Sequence, residues 1–100
     1  MVTREDRIRT WPRTKSGRPI FKTTNEAIFY SQLIFDDERA ITELNFYHGK
    51  LREKIKELRE QDEPNLDKLM SLAVQAQLYR ECIEETMRIM EDPFAGRPSW

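Results

Sequence analysis

Apolar residues recur at alternating three- and four-residue steps through the middle of the chain: Ala27, Tyr30, Ile34, Ile41, Leu44, Leu51, Ile55 and Leu58, with Asp37 and His48 filling the remaining places in the row. That spacing puts one stripe along a helix and directs it at another helix. Thr23-Thr24-Asn25-Glu26 precedes the row and matches a capping box, in which a threonine hydroxyl satisfies a free amide and a glutamate three residues on reaches back. Gly49 is the only interior glycine and no proline intervenes, so the pattern predicts one continuous helix over residues 24–61. Asp62-Glu63-Pro64-Asn65 then supplies a stop and a new N-cap. A second row, Leu66, Leu69, Ala73, Ala76, Arg80, Ile83, Met87 and Met90, predicts a helix over residues 66–91, closed by Asp92-Pro93.

A short turn between two long amphipathic helices makes them antiparallel, so facing residues should have numbers that sum to about 127. Leu58 should meet Leu69, Leu51 should meet Ala76, Leu44 should meet Ile83, and Ile41 should meet Met87. Met87 and Met90 are expected to fill the wider end. The expected fold is therefore all-α, a long antiparallel helical hairpin.

The hairpin has more apolar surface than one internal interface can bury. On the same rule the first helix overhangs the second through residues 24–35, a segment apolar around most of its circumference. Ile28, Phe29, Leu33, Phe35 and Phe46 are the candidate oligomer interface, with Ile28, Phe35 and Phe46 on a stripe of their own. Met70, Leu72, Val74, Leu78 and Ile89 add a surplus on the second helix. Pairing of two copies into a four-helix bundle would bury these groups. The alternative is that the ends of the chain fold back, with Trp11, Ile20, Phe21, Phe94 and Trp100 as lids.

Charge adds a division that hydropathy does not show. Residues 1–24 carry seven basic against two acidic side chains, +5, and the remainder ten against sixteen, −6. Pro12, Gly17 and Pro19 oppose a continuous helix there, so residues 1–23 read as an extended basic arm. Residues 24–91 form the hairpin domain and residues 92–100 an irregular tail. Arg7, Arg9, Trp11, Arg13, Lys15 and Arg18 interleave cations with an indole, the composition of a contact to nucleic acid or to an acidic partner. The acidic body of a neighbouring copy would satisfy the same charges.

Candidate chemistry is sparse. One His and one Cys, His48 and Cys82, assemble neither a four-ligand zinc site nor a disulfide framework. The acids around Cys82 would suppress a thiolate. Asp36-Asp37-Glu38, and Glu43 opposite Glu84, lack the Glu-x-x-His spacing of metal-binding bundles, and Asp37 is expected to pair with Arg88. No metal, cofactor or catalytic residue is expected. The longest uncharged run, Leu69 to Tyr79, is too short to span a membrane, and the first residues lack the apolar core of a secretory leader. The expectation is a noncatalytic, cytoplasmic, self-associating helical protein, most simply a dimer. The alternative is a small nucleic-acid-binding protein of the phage or plasmid accessory type, gripping phosphates with its arm.

Overall fold

A computed structural model describes residues 3–92 and is all-helical, with four helices: α1 (Arg4–Arg9), α2 (Thr24–Ile34), α3 (Glu38–Arg59) and α4 (Leu66–Glu91). The two long ones, α3 and α4, pack against each other. Phe94 and Trp100 lie outside the described residues.

Caps set most of the boundaries. Thr23 caps α2, its hydroxyl accepting from the Glu26 amide at 3.2 Å, and Asn65 caps α4 by accepting from the Lys68 amide at 3.1 Å. Both caps stand where the sequence places them, with the Glu26 carboxylate accepting from the Thr23 hydroxyl at 3.3 Å in place of the expected reach to an amide.

The single helix over residues 24–61 is corrected to two. The chain turns at Phe35–Asp37, where the Asp37 amide bonds back to the Ile34 carbonyl at 2.9 Å. The Asp37 side chain then caps α3 through the Ala40 amide at 3.1 Å. Asp37 is thus a cap and not a partner of Arg88, which pairs with Glu85. The break frees α2 to fold back along α4 instead of overhanging it, and α4 packs against both α2 and α3.

This arrangement turns the second half of α4. Leu78, Cys82, Thr86 and Ile89 are buried, while Met87 and Met90, expected in the seam, are 53% and 49% exposed. Four of the surplus apolar residues therefore divide: Leu78 and Ile89 are buried, but Met70 and Val74 remain open. Before Leu78 no residue of α4 is buried. The core occupies one end of a molecule 50 Å long, and the α3–α4 turn lies at the thin end.

The extended arm is also corrected. Thr3 and Asp6 form a reciprocal capping box that starts α1, and α1 packs on α2. Thr10 to Phe21 follow as a strap with one tight reversal, in which the Gly17 amide bonds to the Thr14 carbonyl at 3.0 Å. Gly17 has φ +91°, a conformation open to glycine and costly to other residues. The isolated bridge Arg13–Pro19 joins the two limbs.

Candidate interaction surface

The strap supplies the cover that α2 requires. Trp11 stacks on Phe29 with ring centroids 6.1 Å apart, and contacts Tyr30 at 5.0 Å; Phe21 sits between Tyr30 at 5.3 Å and Tyr79 at 5.0 Å. Phe21 is wholly buried. Because an irregular segment pairs few of its own backbone groups, side chains must serve its carbonyls. Trp11 Nε1 donates to Ile20 O at 3.0 Å, Gln75 Nε2 to Phe21 O at 2.7 Å, Tyr47 to Ser16 O at 3.1 Å, and Tyr79 to Pro19 O. Arg13 reaches Gly17 O at 3.0 Å, Ile8 O at 3.2 Å and the Tyr30 hydroxyl at 3.4 Å. Burial pushes the Tyr30 and Tyr79 phenols up, against the lowering effect of Arg13 and Arg18, so both keep their protons at neutral pH.

The six arm residues singled out in the sequence are therefore not brought to one surface. Trp11 and Arg13 are committed to the strap, and Arg18 lies over the Tyr79 ring at 5.8 Å. Arg7 lies over the Phe29 ring at 5.9 Å, and Arg9 pairs with Asp6. Lys15 is exposed at the tip of the reversal. The indole stacks on Phe29 and its N–H is taken up by Ile20 O, while Arg7, Trp11 and Phe29 together line a shallow pocket.

The five candidate interface residues also separate. Leu33 is fully enclosed by its own chain. Ile28, Phe29 and Phe35 are half-buried, Phe35 beneath the Arg4 guanidinium at 5.4 Å, and Arg4 itself holds Asp36 at 2.6 and 2.7 Å. Phe46 alone among the five is open, at 57% exposure, edge-on to Tyr47 at 5.4 Å.

An uncovered surface lies elsewhere, along the cleft between α3 and α4. His48, Arg52, Ile55 and Arg59, spaced four, three and four residues apart, form one wall of a groove of about 580 Å³. Ala73, Ala76 and Arg80 form the other, and the two sets lie at equal distances from the turn, as antiparallel register requires. Neither Arg52 nor Arg59 has a carboxylate partner among the described residues, whereas Arg80 donates to Glu84 at 2.9 Å. Partial burial, then the charges of Arg52 and Arg80, hold the His48 imidazole below its usual range, so it is neutral at pH 7. Periodicity extends this face toward the other end of the hairpin, through Glu38 and Ile41 on α3 and Glu84 and Met87 on α4. One half is therefore basic and the other acidic, with apolar positions in both. The heptad row puts His48, Ile55 and Ala76 in the hairpin seam, and all three are half-buried at its open edge. The signal that row passed over was Arg52 and Arg59 at helical spacing beside small Ala73 and Ala76.

Other candidate chemistry is engaged. Cys82 is buried, and burial pushes its thiol up to about 12, opposed by its hydrogen bond with Thr86. Asp36 pairs with Arg4, Asp37 caps α3, and Glu43 lies 3.6 Å from Arg39. Among the described residues no group of three or more His, Cys, Asp or Glu could hold a metal ion, and no helix is long and apolar enough to cross a membrane.

Compared with protein-family models, with curated proteins and with solved structures, the chain finds no match.

Proposed function

We propose that this chain is a noncatalytic assembly protein that self-associates through the uncovered α3–α4 face, two hairpins combining into a four-helix bundle. The observation that carries the reading is the contrast along α4. Its second half is flanked by α2 and α3, whereas in the first half Ala73 and Ala76 line the open groove and Leu66, seven residues before Ala73 on the same stripe, is 68% exposed. A helix pair with apolar positions on its open side gains most by covering that side with more helix. In segment 24–35, where the sequence pattern places a second copy, Leu33 is enclosed and Ile28, Phe29 and Phe35 are half-buried, and the α3–α4 face is proposed in its place.

Sedimentation equilibrium over a range of concentrations tests this. Self-association requires a species at twice the chain mass of 12.0 kDa, growing with concentration. A single 12.0 kDa species throughout would overturn the reading.

Nucleic-acid binding is the second reading, and the unpartnered Arg52 and Arg59 favour the groove over the arm as its contact. Titration of labelled single- and double-stranded DNA at two salt concentrations checks it. Phosphate contacts require binding that weakens steeply with salt, and weakens further in R52A/R59A.

A further inference from the structure

The two halves of the open α3–α4 face are complementary to each other, and this restricts how a second copy can lie on it. Two hairpins can meet face to face about a two-fold axis parallel to the helices or about one perpendicular to them. A parallel axis sets each level against the same level of the partner. That arrangement lays α3 over the partner's α4 and gathers Arg52 and Arg59 of both copies, diagonal to one another, at one end of the bundle, with no acid of either copy among the groove-lining residues to offset them. Like charges brought together in this way oppose association. A perpendicular axis reverses the levels and sets the basic half on the acidic half.

We infer that the occupant of this face is a second copy of the chain, antiparallel to the first, with the two-fold axis passing near His48 and Arg80. The inference rests on the self-association proposed above and adds its geometry. Steps counted outward from those two residues carry it. Ile41 lies seven residues before His48 and Ile55 seven after, so each Ile41 falls on an Ile55 across the axis. Met87 lies seven residues after Arg80 and Ala73 seven before, so an exposed methionine falls where a small side chain leaves room. Glu38 lies ten residues before His48 and Arg59 eleven after, which sets an exposed carboxylate against an unpartnered guanidinium at each end. The Glu38–Arg59 pairs thus lie at the rim, outside the apolar pairs, with Arg52 and Arg80 nearer the axis. His48, neutral at pH 7, is a residue that can meet its own copy at the axis without adding charge. Arg80 is partly offset there by its bond to Glu84.

Charge reversal tests the geometry separately from association itself. R59E and E38R should each weaken dimerisation by about tenfold or more, because each sets like charges against each other twice per dimer. The double variant R59E/E38R should recover the wild-type dimer, since it exchanges the two signs. Both positions are exposed at the ends of α3, and circular dichroism should show unchanged helix content in all three variants. A wild-type chain that stays monomeric overturns the proposed function and the inference with it. A wild-type dimer indifferent to the single reversals, or a double variant no better than the singles, overturns the antiparallel register alone.

Discussion

The Tyr79 side chain is buried in the core and donates to the Pro19 carbonyl, so a helix residue supplies the partner that the strap's backbone lacks. Tyr79→Phe keeps the ring and removes the donor, leaving a buried carbonyl unpaired; it should destabilise the fold by about 1–3 kcal/mol in chemical denaturation. Gly17→Ala tests the reversal. Space is sufficient, since an added Cβ would meet the Tyr47 hydroxyl at 3.5 Å, but φ +91° is costly for alanine. A loss of about 1 kcal/mol or more is expected, without change in helix content. Cys82 gives a pH dependence with a definite sign. Its folded pKa, about 12, lies above the ordinary 9.0, so the folded chain holds its proton more tightly than the unfolded chain does. The contribution is complete below pH 9 and is lost as the pH rises from 9 toward 12. For the same reason a thiol reagent at pH 8 should react with Cys82 only in denaturant. The arm's cations show how local reading misled at this scale. Arg7 to Arg18 have the composition of a phosphate-binding segment, yet Arg13 spends its donors on the carbonyls of Ile8 and Gly17. Gly17 O becomes a neighbour through the reversal and Ile8 O through the end of α1, neither of which composition reveals.

At the scale of elements, caps were legible and continuity was not. Thr23, Asn65 and the end of α4 at Glu91 stand where capping rules place them. The break at Phe35–Asp37 escaped because Ile34, Asp37 and Ile41 keep the three-four step across it, and hydrophobic period is blind to a turn that preserves phase. The overlooked signal was chemical: Asp37 before Glu38 is an N-cap followed by an acid in the first turn. Thr3 and Asp6 offered a similar sign for α1, which is short enough to depend on its packing against α2. Asp37→Ala removes the α3 cap and should cost about 0.5–2 kcal/mol, read from the denaturation midpoint. Amide exchange should quicken most at Ala40, which loses its acceptor.

For the whole molecule, folding back of the strap changes what remains to be buried. The class was legible, since long stripes with caps and a short turn leave little but an antiparallel hairpin. The third layer was not, because it depends on α2 reversing at a site without proline or glycine. Removing residues 1–22 should do more than remove charge: it strips Trp11 and Phe21 from α2 and α4, and Phe21 is wholly buried. The truncated chain should lose cooperative unfolding and bind a hydrophobic dye, whereas an arm that served only as a ligand contact would leave the melting curve unchanged. The α3–α4 face is unaffected by this cover and is the surface proposed for a second copy. Its antiparallel register is tested most directly by a distance between copies. With a spin label at Gln61→Cys, and Cys82 shielded in the core, pulsed dipolar spectroscopy reads the separation of the two turns in the full-length dimer. An axis near His48 puts the labels about 40 Å apart, thirteen residues to either side at 1.5 Å each. A separation below about 20 Å, as parallel pairing with adjacent turns requires at the usual 8–10 Å between packed helices, or no inter-copy signal at all, would contradict it.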